Sequence, residues 1–125
     1  MESNKNIIFI GGIHGVGKGT ICKEISLNTG LTHLTASRIL KWEEISEEGN
    51  KLVENISSTQ DRLIKGLKIL IKKDKKYIID GHFCLLDANG IPSRIDECTF
   101  DQINAKIIAI VIDDVVKITK RLKAR

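Results

Sequence analysis

Long apolar runs and aromatic residues are scarce in this sequence. Aromatic residues make up 4% of the 125 residues, and no apolar run approaches the roughly 20 residues that a membrane-spanning helix needs. Residues 1–6 are mostly polar and lead directly into the first apolar stretch, so no signal peptide is visible. We therefore expect a globular protein that does not cross a membrane and that is located in the cytoplasm.

Cysteine is also scarce. The three cysteines, Cys22, Cys84 and Cys98, are an odd and scattered set without a CxxC pair. This arrangement is more typical of reduced thiols in a cytoplasm than of a disulfide framework. His82 and Cys84 would share one face of an extended strand, but no third and fourth ligand accompany them. The sequence therefore does not favour a zinc site there.

Acidic residues number 16 against 20 basic ones, which gives a formal net charge of +4. Such a balance favours anionic ligands, including nucleotides and RNA. Tyr77 is the only aromatic residue beside the clearest basic cluster, so the sequence does not indicate a surface that stacks on bases. The cluster is more typical of a solvated helix face that runs into a turn, and a nucleic-acid partner is compatible with it but not indicated. Its members are Lys65, Lys68, Lys72, Lys73, Lys75 and Lys76.

The stretch GGIHGVGKGT, residues 11–20, is the most informative motif. Four apolar residues at 7–10 precede it and predict a buried strand, and apolar residues at helical spacing follow it. In such a unit glycines let the backbone approach a polyphosphate, free N–H groups at the helix N-terminus bind anions, and Lys18 adds a mobile positive charge. His14 either contacts a phosphate or only caps the turn. The predicted ligand-binding residues are Gly12, His14, Gly15, Val16, Gly17, Lys18, Gly19 and Thr20.

One position departs from the strict phosphate-loop pattern GxxxxGK[ST]. Gly19 follows Lys18, and the hydroxyl-bearing residue, Thr20, comes one position later. A loop that ends in GKGT is found in adenylate kinases and related nucleoside monophosphate kinases, and residues 12–20 resemble theirs. The resemblance implies that ATP is bound, that Mg²⁺ is held largely through water, and that Thr20 lies beside the α-phosphate.

Strand-like and helical patterns alternate along the chain. This alternation predicts an α/β fold with a parallel sheet and helices on both faces, and the resemblance implies the three-layer α/β/α fold of P-loop kinases. Ligand sites in such sheets lie at the carboxyl ends of the strands. The predicted strands are 7–10, 77–80 and 106–112, with a short extended link at 31–35.

The predicted helices begin at capping residues. The first runs from about Gly17 to Asn28 and stops at Gly30. Ser37 should cap a helix over 38–48, and Ser57, Ser58 or Thr59 should cap the next. Residues 81–98 are predicted to be an irregular functional loop, because they are long for a plain connector. The remaining predicted caps are Thr99, for one turn through Ile103, and Asp113 or Asp114, for the last helix.

A single P-loop kinase-like domain is expected over residues 1–125. The last predicted helix reaches Arg125 with no glycine stop. A monophosphate-kinase core normally has one more strand after this helix. The resemblance therefore implies that the C-terminal strand and helix of the domain are lacking.

Asp80 ends a predicted buried strand, and Gly81 follows it. A carboxylate beside a phosphate loop is placed to hold Mg²⁺ or its waters. In adenylate kinases a strand of this type ends in Asp-Gly, and the resemblance gives Asp80 that role. The stretch YIIDGHFCLLDANGIP, residues 77–92, is also similar to the archaeal-type adenylate kinases. This similarity implies that Gly81 and His82 contact the substrate. The alternative for His82 is a packed or merely exposed histidine without a role in binding.

Arginines complete the implied site. In monophosphate kinases an arginine near the position of Arg38 grips the phosphate of the acceptor, and a guanidinium fork suits that task. Arg121 and Arg125 are four residues apart on one predicted helical face. The resemblance implies that they close over the transferring phosphoryl group. The acceptor-site arginine that follows Asp-Gly in adenylate kinases is absent here, and Arg94 is the nearest replacement.

These residues predict an ATP-dependent phosphotransferase that moves the γ-phosphoryl group to a nucleotide or a similar small acceptor. Lys18, Asp80, Arg121 and Arg125 are the predicted catalytic residues, and ATP and Mg²⁺ are the implied cofactors. The alternative is a P-loop ATPase or a nucleotide-binding module that acts on RNA or on a protein partner. The acceptor stays open among AMP, other nucleoside monophosphates, nucleosides and small alcohols.

Overall fold

A four-stranded parallel sheet carries the glycine-rich loop at its carboxyl edge. The structure, a computed structural model, describes residues 4–40, 52–53 and 56–124. Its strands are β1 (Asn4–Gly11), β2 (Thr32–Thr35), β3 (Leu52–Val53), β4 (Tyr77–Gly81), β5 (Cys84–Asp87), β6 (Pro92–Arg94) and β7 (Ala105–Ile110). Its helices are α1 (Lys18–Thr29), α2 (Ala36–Leu40), α3 (Ile56–Leu70), α4 (Glu97–Ile103) and α5 (Val115–Lys123).

The sheet has the strand order β2-β4-β1-β7, and each neighbouring pair is parallel. The predicted α/β architecture with a mostly parallel sheet is therefore confirmed. The register aligns Gly11 with Gly81 and Thr35 with Asp80. These pairs bring the carboxyl ends of β1, β2 and β4 to one edge of the sheet, which is where ligands bind in such folds.

Helices cover both faces of the central strand β1, and this explains its unbroken apolar run. Ile7 and Phe9 belong to a core that includes residues of α2, α3 and α4. Ile10 packs on the opposite face, with Cys22 of α1 and Ile78 of β4. Because successive strand residues point to opposite faces, each residue of the run fills one core or the other.

Two predicted helix termini are confirmed. Gly30 ends α1 in the left-handed conformation, with φ of 77°, and its N–H donates to the Ser26 carbonyl at 2.9 Å. Asp114 caps α5, because its carboxylate accepts a hydrogen bond from the backbone N–H of Val116 at 2.8 Å. Glycine suits the left-handed C-terminal position and a short carboxylate suits the N-terminal cap.

Ser37 was predicted to cap the second helix, and this prediction is wrong. Helix α2 begins at Ala36, and Thr35 Oγ1 accepts the hydrogen bond of the Arg38 N–H at 3.0 Å. Thr and Ser offer the same acceptor, so the local sequence does not choose between neighbouring candidates. The predicted continuation of this helix through 41–48 lies outside the described residues.

Two further helix starts also differ from the prediction. Helix α3 begins at Ile56, so all three predicted caps, 57–59, lie within the helix. Asp96, not Thr99, caps α4, since its carboxylate accepts from the Cys98 N–H. Thr99 is buried inside α4. The carboxylate satisfies a free N–H of the first turn, which leaves no such task for the Thr99 hydroxyl.

Residues 81–98 are not the irregular loop that was predicted. Strands β5 and β6 form an antiparallel pair within a small sheet of order β3-β5-β6. Asp87 stabilises the turn between them, because its Oδ1 accepts from the N–H groups of Asn89 and Ile91, each at 2.9 Å. The two strands are so short that their alternation gives little signal in the sequence.

Three phenylalanines fasten this segment to the main sheet. The rings of Phe9, Phe83 and Phe100 contact one another with centroid separations of 5.4 to 5.7 Å. The close approach depends on two paired glycines. A Cβ at Gly81 would lie 2.7 Å from Phe9 Cζ, and a Cβ at Gly11 would overlap the ring of Phe83. This packing sets the position of the chain between β4 and β5.

Gly11→Ala should therefore lower the free energy of unfolding by about 1–3 kcal/mol, the usual cost of overpacking a core. Gly19→Ala is the matched control, because a Cβ there meets its nearest atom, Asp80 Oδ2, at 3.8 Å. That change should be neutral or stabilising by up to about 1 kcal/mol, since alanine favours a helix over glycine. Urea unfolding followed by circular dichroism measures both. Equal stability of the two variants would contradict the packing argument.

Strand β7 forms an edge of the four-stranded sheet and exposes apolar side chains. Ile107, Ile108 and Ile110 are 48%, 51% and 63% exposed. The strand itself was predicted, at 106–112, and the structure gives Ala105–Ile110. Within the described ranges, no helix combines the length and the apolarity needed to cross a bilayer.

Candidate functional site

The glycine-rich loop connects β1 to α1 in a tight turn. Gly15 and Gly17 have φ of 85° and 97°, which side chains other than glycine rarely adopt. The Val16 N–H donates to the Ile13 carbonyl at 3.3 Å and closes the loop. Helix α1 begins directly after Gly17, at Lys18, so the free N–H groups of its first turn lie next to the loop. This is the geometry of an anion-binding loop.

Lys18 lies largely buried beside two groups from β4 and its exit. The residue is 7% exposed, and its Nζ lies 3.3 Å from His82 Nε2 and 4.0 Å from Asp80 Oδ1. A buried ammonium needs such partners, because burial without them is costly. The structure thus brings together three of the residues that the sequence singled out.

His14 and His82 meet above this group. Their ring centroids are 4.2 Å apart, with an angle of 42° between the ring planes. His14 belongs to the loop, and His82 directly follows Gly81 at the end of β4. His82 therefore contacts both the His14 ring and the Lys18 ammonium. These contacts extend the candidate site from the loop to the connection between β4 and β5.

Helix α5 packs against the outside of the loop. The Leu122 side chain lies next to Gly15, so that a Cβ on Gly15 would be 3.0 Å from Leu122 Cγ. Arg121 Nη1 donates to the Gly15 carbonyl at 3.1 Å and lies 2.8 Å from Asp113 Oδ2. A hydrogen bond from the Asp114 N–H, followed by that from Arg121, holds the pKa of Asp113 below its usual value. Asp113 is therefore ionised at neutral pH.

The other predicted arginines are on exposed parts of other elements or outside the described residues. Arg38 is exposed on α2, which follows the end of β2 next to Asp80. Arg94 is exposed on β6, in the small sheet. Arg125 lies outside the described residues. The lysines of the basic cluster are exposed, as a solvated surface requires.

Two residues beside Asp80 were not predicted from the sequence. His33 Nε2 lies 3.5 Å from Asp80 Oδ2, and Cys22 lies one helical turn after Lys18 on α1. One ligand atom from each of Cys22, His33 and Asp80 lies within 4.8 Å of the other two. The only signal in the sequence was the spacing of Cys22 from Lys18, because the contact with His33 depends on the strand order.

Thiol reagents should modify Cys84 and Cys98 in the folded protein and spare Cys22. Cys84 and Cys98 are exposed, whereas Cys22 is fully buried. Burial and the negative charge of Asp80 raise the pKa of Cys22 to about 11, although the positive charge of Lys18 acts in the opposite direction. Little reactive thiolate therefore forms near neutral pH. Mass spectrometry of alkylated peptides, with denatured protein as control, measures this. Equal modification of all three thiols in the folded protein would contradict it.

The same pKa predicts the direction of a pH effect. The unfolded chain loses the Cys22 proton near the ordinary value of 9.0, before the folded protein does. The folded state then binds more protons than the unfolded state, and stability falls as the pH rises above this value.

Comparisons with known proteins identify the family of this chain. A family model described as AAA domain matches residues 11–125. Adenylate kinase isoenzyme 5 of Homo sapiens is 29% identical over 94% of this chain and 25% of that protein. Adenylate kinase of Mycoplasma mobile is 30% identical over 87% of this chain and 51% of that protein. The chain thus spans about half or less of the length of these relatives.

Solved structures share the fold. An unliganded sugar kinase from Janibacter sp. HTCC2649 covers 97% of this chain, and the chain covers 68% of it, with a TM-score of 0.66 and 14% identity. The match to an uncharacterized protein from Eubacterium ventriosum includes 97% of this chain and 62% of that protein, with a TM-score of 0.58 and 15% identity. At these identities the similarity concerns the fold, and it agrees with the α/β fold of P-loop kinases.

Proposed function

The chain belongs to the AAA domain family and is an adenylate-kinase-like P-loop protein, and from this premise we propose that it is an ATP-dependent phosphotransferase. It transfers the γ-phosphoryl group of ATP to a nucleotide or a similar small acceptor. The names of the sequence relatives support a nucleotide substrate. The acceptor itself is left to experiment.

The observation that carries the proposal is the grouping of Lys18, Asp80 and His82 under the glycine-rich loop. Lys18 Nζ lies within 4.0 Å of both partners, and its side chain is almost completely buried. Phosphoryl transfer requires little covalent chemistry from a protein. It requires positioned positive charge and N–H donors around the phosphates. The loop N–H groups from Gly15 to Thr20, together with Lys18, supply both.

Asp80 fits the role of the Mg²⁺ residue. Its side chain is 12% exposed and offers two carboxylate oxygens. Gly19 leaves space next to them, since a Cβ added at Gly19 would still be 3.8 Å from Asp80 Oδ2. Mg²⁺ prefers oxygen ligands and keeps several of its waters, which need such space. When bound, Mg²⁺ neutralises charge on the β- and γ-phosphates.

The remaining roles concern the acceptor and the transferred group. We assign acceptor contacts to Arg38, Gly81 and His82. Gly81 is the last residue of β4 and His82 follows it, while Arg38 follows the end of β2, the strand that pairs with β4 at Asp80. Arg121 lies against the loop, from where its guanidinium stabilises charge on the transferring group. Arg125 shares this role in the proposal as the second arginine of the pair.

Phosphoryl transfer from γ-labelled ATP to a panel of acceptors tests the proposal. The panel contains nucleoside monophosphates, nucleosides, RNA and no acceptor, each with and without Mg²⁺. A labelled product in one lane that disappears in Lys18→Ala is the expected result and identifies the acceptor. Free phosphate alone would indicate an ATPase. Bound but intact ATP would indicate a nucleotide-binding module, and either result would overturn the kinase proposal.

A further inference from the structure

Three side chains with metal-binding atoms converge beside Lys18. The Cys22 sulfur, one His33 ring nitrogen and one Asp80 carboxylate oxygen all lie within 4.8 Å of one another. They come from α1, β2 and β4, which pack together at the carboxyl edge of the sheet. The convergence therefore depends on the fold and not on a local sequence motif.

The packing of these elements explains why the three meet. In the β2–β4 register Thr35 is aligned with Asp80, so His33 lies two residues earlier on the same face of the sheet. Cys22 packs on that face too, in one core with Ile78. Both sides of the group are thus held by regular structure, which keeps metal ligands in place.

The ligand set selects the kind of ion. One thiolate, one imidazole and one carboxylate suit Zn²⁺, whereas Mg²⁺ and Ca²⁺ prefer oxygen ligands alone. At metal–ligand distances of about 2.0–2.3 Å, tetrahedral ligands lie roughly 3.3–3.8 Å apart. The distance of 3.5 Å between His33 Nε2 and Asp80 Oδ2 falls in this range. Three protein ligands leave the fourth position for water.

His33 provides an independent indication of a ligand. Its Nε2 is buried and makes no hydrogen bond to any residue that the structure describes. The Asp80 oxygen at 3.5 Å is close enough for an ion pair but does not form a hydrogen bond with it. Buried polar atoms normally have a partner, and a bound ion would provide one.

We propose that Cys22, His33 and Asp80 bind one Zn²⁺ ion per chain and that this ion excludes Mg²⁺ from Asp80. The Cys22 thiol releases its proton to water as its sulfur binds the ion. The second half of the proposal rests on the proposed function, because it requires that Asp80 serves Mg²⁺. The first half concerns metal binding alone and is tested without ATP.

Metal binding is measured on a Cys84→Ser/Cys98→Ser variant, in which Cys22 is the remaining thiol. After treatment with a chelator, Zn²⁺ is titrated in competition with a chromogenic chelator, and Co²⁺ is added as a spectroscopic probe. We expect one Zn²⁺ per chain and a thiolate-to-Co²⁺ charge-transfer band. Cys22→Ser in this background should abolish the band, and His33→Ala should weaken Zn²⁺ binding at least about tenfold.

Circular dichroism shows whether each variant folds. If Cys22→Ser does not fold, the Zn²⁺ affinity of His33→Ala alone decides whether the metal site exists. We expect this variant to fold, because His33 is not part of either core cluster. Absence of stoichiometric Zn²⁺, or a Co²⁺ spectrum without a thiolate band, overturns the proposal. Zn²⁺ affinity that is unchanged in folded His33→Ala overturns it as well.

The exclusion of Mg²⁺ is tested by turnover. Zn²⁺ should inhibit phosphoryl transfer in competition with Mg²⁺, and the ratio of rates with and without Zn²⁺ should return towards one in His33→Ala. Inhibition of equal depth in both proteins, or inhibition that excess Mg²⁺ does not relieve, overturns the exclusion. If no transfer is found at all, the proposed function fails, while the titration still decides whether the metal site exists.

Discussion

Lys18→Ala should lower kcat for phosphoryl transfer by at least about 10²–10³-fold, the loss that follows removal of one preorganised donor from a site of developing charge. Lys18 is 7% exposed, and its ammonium lies 3.3 Å from His82 Nε2 and 4.0 Å from Asp80 Oδ1. Its charge acts where water is largely excluded, and electrostatic interactions are stronger there than at the surface. Initial rates with labelled ATP at saturating acceptor measure the effect.

Lys23→Ala is the matched control for this change. It removes the same charge from the same helix, but Lys23 is exposed, so water and salt screen its effect on the site. We expect kcat close to that of the unmodified chain. Lys18→Arg should be nearly as inactive as Lys18→Ala, because the wider guanidinium does not fit the buried position of an ammonium. A Lys18→Ala variant with a normal rate would show that the loop does not position the transferred phosphate.

The sequence predicted local structure correctly where a position accepts only one kind of residue. The run at 7–10 predicted a strand buried on both faces, and the cores on either side of β1 confirm this. The glycines around Lys18 predicted a loop before a helix, and Gly15 and Gly17 have the positive φ angles that require glycine. Asp80 at a strand end predicted a carboxylate next to the loop, and its distance from Lys18 confirms that placement.

Contacts between distant segments were not predictable in the same way. The position of His33 next to Asp80 follows from the β2–β4 register, which pairs residues more than 40 positions apart along the chain and depends on the packing of the whole sheet. The packing of Phe83 on Gly11 has the same origin. Neither side chain carries a local pattern, so the Cys22–His33–Asp80 group emerged only from the structure.

Short elements and shared capping chemistry account for the errors. Strands β5 and β6 have 4 and 3 residues, too few to establish an alternation, and they were predicted as loop. Thr35 and Asp96 replace Ser37 and Thr99 as caps, because each of these residue types can accept from a free helical N–H. The errors lie at element ends and in the small sheet, and they leave the position of the phosphate loop unchanged.

Arg121→Ala should lower kcat by about 10²-fold or more, the range seen when a charge-stabilising donor at a transferring phosphoryl group is lost. Arg121 connects α5 to the loop, because its Nη1 donates to the Gly15 carbonyl at 3.1 Å and pairs with Asp113 Oδ2 at 2.8 Å. Lys120→Ala is the control, since Lys120 is an exposed residue of the same helix with the same charge. It should leave kcat almost unchanged.

Asp113→Asn separates the two ways in which Arg121 can act. If Arg121 serves only to hold the loop, weakening its pair with Asp113 should raise KM for ATP and lower kcat in parallel, as Arg121→Ala does. If its guanidinium stabilises charge on the transferring group, Asp113→Asn leaves that charge in place and should change kcat by less than about tenfold, because the pair is partly exposed and such pairs contribute little. We expect the second result.

Steady-state kinetics of Asp113→Asn and Arg121→Ala decides between the two roles of Arg121. Arg121→Lys tests in addition whether the positive charge alone is sufficient. A fall in kcat of equal size in Asp113→Asn and Arg121→Ala would assign Arg121 to loop positioning.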